Sequence, residues 1–118
     1  MQYMLLIYAD EAGWDALTPE EQAEGMSAYE AYGKWLNDKG WMRSGEPLTR
    51  TTEATSVRVR DRKTSTTDGP FAETKEQLGG YYVIECDNLD QAIEAAERLP
   101  GALYGTVEVR PVLVFDQG

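Results

Sequence analysis

The sequence predicts an α+β fold, an antiparallel sheet with two helices on one of its faces, and three observations carry that expectation. Gln2 to Ala9 and Gly80 to Cys86 are apolar at both sets of alternating positions, the pattern of central strands covered on both sides. Two helix starts are marked by residues that cap backbone amides, Thr18 with Glu21 and Asn88 with Gln91. The patterned segments follow one another as strand, helix, strands, strand, helix, strand, the order of a split β-α-β or ferredoxin-like unit.

In chain order, the first strand places Tyr3, Leu5 and Ile7 on one face and Met4, Leu6 and Tyr8 on the other. Thr18-Pro19-Glu20-Glu21 combines an N-cap, a proline at the first helical position and a capping-box glutamate, and predicts a helix running to about Lys39, ended by Gly40. Met26, Tyr29, Gly33 and Leu36 are its expected buried stripe. Trp41 to Leu48 is predicted as a second strand, bent by Gly45 and stopped near Pro47. Thr55 to Arg60 with Lys63 to Thr67 reads as a polar hairpin. The second doubly apolar strand, Gly80 to Cys86, belongs in the sheet centre. Asn88 opens a second helix with Leu89, Ala92, Ile93 and Ala96 facing inward, closed by Pro100-Gly101, and Thr106 to Phe115 is the last expected strand.

A chain of 118 residues with 42% hydrophobic content builds one core and one domain. Its apolar runs are too short to span a membrane. The N-terminus carries no basic residue ahead of its apolar stretch and meets Asp10 and Glu11 at once, so it reads as a strand and not a signal peptide, and a cytoplasmic location is expected. The single cysteine, Cys86, sits in a strand pattern and reads as a small core residue. A net charge of −10 argues against direct nucleic-acid binding. Arg58, Arg60, Arg62 and Lys63 cluster around the hairpin, but Asp61 interrupts them and no aromatic residues alternate with them, so they read as a solvated strand face. Asp10, Glu11, Asp15 and the acids from Glu20 to Glu24 read as solvated surface too.

The most specific segment is Asp68 to Gly80, DGPFAETKEQLGG. Asp68-Gly69 is a turn pair, Pro70 restricts Gly69, and Phe71 supplies a large apolar anchor. Together with YMLLIY at Tyr3 to Tyr8, SGEPL at Ser44 to Leu48 and the helix with its proline at Asp90 to Pro100, this segment makes the whole chain resemble the YCII-related proteins of the DGPF type, bacterial proteins of similar length. The resemblance implies a ferredoxin-like subunit that dimerises through its sheet into an α+β barrel. It thereby accounts for the second apolar face of both central strands, and an isologous homodimer with a cavity where the sheets meet is expected.

Chemistry is bounded by the absence of histidine. Some YCII-type relatives carry a histidine–aspartate pair linked to acid–base work, and this chain has no counterpart of it. The remaining catalytic reading makes Asp68 or Glu73 a general base, with Lys75, Tyr8 or Arg43 as the electrophilic partner, an arrangement suited to proton abstraction beside a carbonyl. Tyr8 and Tyr82 are the expected ligand-facing aromatics, and Arg43 and Ser44 the expected polar contacts near the SGEP turn. Dimeric α+β barrel proteins that look like this one include isomerases, dehydrochlorinases and monooxygenases of small cyclic molecules. The competing structural reading has Asp68 capping its own turn, Glu73 and Lys75 solvated, and Glu76 paired with a surface base. No cofactor or metal is expected: Asp68, Glu73 and Glu76 match no EF-hand spacing, and Lys75 lies among them. A third reading, from the genomic company such proteins keep, is a regulatory or small-molecule-binding module in an alternative sigma factor pathway.

Overall fold

In the computed structural model, which describes residues 1–115, the two doubly apolar segments form β1 (Gln2–Ala9) and β5 (Gln77–Glu85), antiparallel neighbours in the middle of a four-stranded sheet. Met42–Pro47 is β2, Thr55–Arg60 and Lys63–Asp68 are β3 and β4, and Thr106–Pro111 is β6. The sheet order is β2-β5-β1-β6, every neighbour antiparallel, and β3-β4 is a separate two-stranded sheet. A short helix, α1 (Glu11–Asp15), precedes the long α2 (Pro19–Lys39), and α3 (Leu89–Glu97) follows β5.

Both long caps form as the residue types dictate. The Thr18 hydroxyl accepts from the Glu21 amide while the Glu21 carboxylate accepts from the Thr18 amide, and the Asn88 side-chain oxygen accepts from the Gln91 amide. Gly40 ends α2 with φ of 75°, a left-handed turn that glycine adopts without a Cβ clash.

The core lies on one side of the sheet. Tyr3, Leu5, Ile7, Ile84 and Cys86 are buried from below by Tyr32 and Leu36 of α2 and by Ala92, Ala95, Ala96 and Leu99 of α3 and its exit. No charged or polar residue is fully buried among the described residues. Alternation sends Met4, Leu6, Tyr8, Tyr81 and Val83 to the opposite face, where they are only partly covered and where neither α2 nor α3 lies. Among the described residues no helix is long and apolar enough to cross a membrane.

Several details differ from the sequence expectation. The α2 stripe is turned by one position, so Tyr32 is buried beside Leu36 while Met26 is 62% exposed. The α3 stripe turns likewise: Ala95 replaces Leu89 and Ile93, both of which are exposed, because small residues let the helix approach the sheet. β6 ends at Pro111, opposite Tyr3 near the start of β1, and Leu113, Val114 and Phe115 are exposed beyond it. Proline cannot donate to the ladder, and after one further bond, from the Val112 amide to the Gln2 carbonyl at 2.9 Å, β1 has run out. The bend in β2 falls between Met42 and Ser44, ahead of Gly45. Phe71 anchors nothing within the chain and is 82% exposed, because the DGPF turn lies at the foot of the β3-β4 hairpin, away from the core.

Candidate functional site

Two concavities lie side by side at the end of the sheet from which α1 departs. The first, a cavity of about 590 Å³, opens on the helix side of the sheet. Ile7, Gly45 and Gly80 make its floor, Tyr82 and Tyr29 flank it, Trp14 of α1 walls it, and the connection Pro47 to Arg50 closes the far side. The second is a broad groove along Thr51, Thr52 and the DGPF turn, bordered by Asp68, Phe71 and Glu73. Gln77 lines both.

Local sequence explains the first cavity. Asp10 caps α1 by accepting from the Ala12 amide at 3.0 Å, which turns the chain off β1 and brings Trp14 over α2. There the indole lies against Gly25, where an added Cβ would sit 3.1 Å from the ring. Gly45 does the same on β2, since a Cβ there would meet Tyr82 Cδ1 at 2.6 Å, so only glycine lets that ring lie over the strand. The Glu11 carboxylate accepts from the Thr51 amide at 3.0 Å and from its hydroxyl, and Arg50 forms a two-pronged ion pair with Asp15. α1 therefore clasps the segment between β2 and β3. Glu11 is thus a structural tie and not a merely solvated acid, and Asp15 pairs with Arg50 at the surface, roles that only contact with residues 40 and 35 positions away reveals, while Asp10 serves as a local cap.

Electrostatics give the cavity its chemical character. Burial pushes the Tyr29 phenol up, opposed by the Gly101 backbone, and burial pushes Tyr82 up with help from nearby Tyr29. Both phenols are therefore neutral donors through the physiological range. Arg50, hydrogen-bonded to Asp15, holds that carboxyl below its usual value.

The expected site residues are not brought together. Tyr82 lines the cavity. Asp68 and Glu73 border the groove and are exposed, and Lys75, also exposed, borders neither. Tyr8 and Ser44 lie by register on the helix-free face, Tyr8 beside the irregularity between Ile7 and Tyr8. Arg43 spends its guanidinium on the carbonyls of Gly40 and Met42. Glu76 accepts from the Thr106 hydroxyl and not from a base. Trp14, Tyr29, Glu11 and Gln77 were not singled out by sequence as site residues. Tyr29 carried a legible helical position, but nothing local marks the other three.

Comparison with known proteins agrees with the architecture. The chain is 38% identical to an uncharacterized protein of Rhizobium meliloti (strain 1021) over 120 residues, covering 100% of this chain and 97% of that one. Its fold is similar to that of the 5-chloro-2-hydroxyhydroquinone dehydrochlorinase of Burkholderia phenoliruptrix AC1100, solved in complex with 2,5-dihydroxybenzoquinone. The TM-score is 0.56 at 15% identity, with 96% of this chain and 94% of that chain covered. The YCII-related domain matches residues 1–116, and the chain accordingly belongs to the YCII-related family.

Proposed function

We propose that this protein binds a small oxygenated ring compound in the cavity between α1, α2 and β5, and catalyses proton transfer on it as an isomerase or lyase. The observation that carries the reading is the pair of neutral phenols, Tyr29 and Tyr82, in an aromatic-walled cavity that a carboxylate, Glu11, also lines. A carbonyl oxygen lodged between the phenols receives two hydrogen bonds that strengthen as negative charge develops on it. Glu11 retains lone pairs beyond those used by Thr51 and takes a proton from the adjacent carbon. The proton then returns at another carbon, or a leaving anion departs. The kinship in fold with a dehydrochlorinase that binds a dihydroxyquinone supports the substrate class. Asp68 and Glu73, in the adjoining groove, are the alternative bases. We also propose that the working unit is a homodimer in which a second copy covers the helix-free face of the sheet.

The test is calorimetric titration with 2,5-dihydroxybenzoquinone and related hydroxyquinones, followed by NMR of ligand proton exchange with D2O. Tyr29→Phe and Tyr82→Phe are expected to weaken binding by up to about tenfold each. Glu11→Gln is expected to retain binding and lose the exchange. Exchange lost instead in Asp68→Asn or Glu73→Gln moves the base to the groove, and absence of saturable binding by any of these compounds removes the reading.

A further inference from the structure

The β3-β4 hairpin is built as though something absent from the single chain covered it. Every residue from Thr55 to Asp68 is exposed except Ser56, which is partly so, and Val57 and Val59 are 59% and 56% exposed. Direct pairing of Val57 with Thr66 and of Val59 with Thr64 gathers four β-branched side chains on one face, while Arg58, Arg60 and Lys63 take the other. A lone two-stranded ribbon is marginal in water. This one also turns through Asp61 and Arg62, both at positive φ, without the glycine such a turn favours. The radius of gyration, 16.5 Å, exceeds the roughly 13.5 Å expected of a compact chain of this length, in keeping with an element that stands off the body.

Charge identifies the cover. Residues 58–63 hold four of the chain's 11 bases and one of its 21 acids, which leaves seven bases to 20 acids elsewhere. The arm is cationic and the body that carries it is strongly anionic, so the surface complementary to the arm is that of another molecule of the same chain. We propose that β3-β4 is a clasp that reaches into a second copy, burying its Val57 and Val59 face there while the opposite face sets Arg58, Arg60 and Lys63 against acidic side chains of that same copy. The inference rests on the homodimer reading above and adds to it the element that reaches across. It has a consequence for the groove. The Ser56 hydroxyl donates to the Gly69 carbonyl at 2.9 Å and the Gly69 amide donates to Ala54 at 2.7 Å, so the foot of the clasp is tied to the DGPF turn. Asp68, Phe71 and Glu73 then lie beside the subunit boundary, and the exposed Phe71 ring faces a partner.

The experiment places the photo-crosslinking residue p-benzoylphenylalanine at Val59 of the full chain, an exposed position that does not contribute to the core. An equal mixture of 14N- and 15N-labelled protein is allowed to exchange before irradiation, and sedimentation measures the oligomer. Dimers by sedimentation with mixed-isotope crosslinks from residue 59 are the expected result. Val57→Asp with Val59→Asp, and separately Arg58→Glu with Arg60→Glu, should each raise the dimer dissociation constant at least about tenfold while the monomer's circular dichroism is unchanged. Dimers whose residue 59 yields only same-chain adducts, and whose affinity both double variants leave unaltered, overturn the clasp and spare the homodimer. A parent protein, with Val59 unchanged, that sediments as a monomer at tens of micromolar overturns both.

Discussion

The Tyr32 hydroxyl donates to the carbonyl oxygen of Ala95 at 2.7 Å, a bond that crosses the core from α2 to the last turn of α3. That carbonyl is otherwise unclaimed by the chain that follows, because the Leu99 amide bonds to Ala96 instead. One phenol therefore satisfies a helix-end acceptor in a place that water does not reach.

Tyr32→Phe is accordingly expected to cost about 1–3 kcal/mol, the penalty of a buried acceptor left unpaired. Urea unfolding monitored by circular dichroism measures it. A midpoint unchanged from the parent would show that the carbonyl finds another partner.

The same residue gives an alkaline signature. Burial, with smaller contributions from nearby Tyr82 and Tyr29, raises its phenol well above the usual tyrosine range. Above about pH 10 the unfolded chain releases a proton that the folded chain keeps, so stability falls as pH rises further, and below that pH the group adds no slope. Melting temperature followed from pH 8 to 11 should be level at first and then decline. The decline should be shallower in Tyr32→Phe.

The clasp by α1 separates into a part that matters for stability and a part that does not. Glu11 is half-buried and holds the Thr51 amide, so Glu11→Ala should cost about 1–3 kcal/mol by urea unfolding. Asp15 and Arg50 are both exposed, and their pair is screened by solvent. Arg50→Ala should leave the melting temperature within error of the parent.

Glycine at position 45 is required by shape. Gly45→Ala drives a methyl into the Tyr82 ring and against the Tyr81 carbonyl, and is expected to cost about 1–3 kcal/mol and to weaken ligand binding in the cavity. Gly13→Ala, in α1, meets nothing within 4 Å and should be neutral or stabilising by up to about 1 kcal/mol. Equal effects of the two substitutions would refute the shape argument.

Cys86 is buried, and burial pushes its thiol up, so the nucleophilic thiolate is scarce and shielded. A chromogenic disulfide reagent should label the native protein on the order of a hundredfold more slowly than the urea-unfolded chain. Rapid native labelling would mean that the β5–α3 junction opens readily.

Sequence by itself determined the elements whose causes are local. Alternation specified β1 to the residue and β5 from Gly80 on but not its first three residues, Gln77 to Gly79, cap chemistry specified where α2 and α3 begin, and a polar run specified the hairpin within one residue of its observed end. Capping and alternation act over two to four residues, so they are legible in a linear reading. Which helical residues face inward was legible only to within one position, because the rotation of a helix is set by what it packs on: alanines admit a close approach in α3, and Trp14 occupies the space beside Gly25 in α2. The cavity was not legible at all beyond Tyr82. Its walls come from α1, α2, β5 and the segment after β2, and the ties that assemble them, Glu11 to Thr51 and Gln77 to Glu11, join residues 40 and 66 positions apart. Tertiary structure alone decided that site, because a pocket is the space left between distant segments, and no local pattern encodes that space.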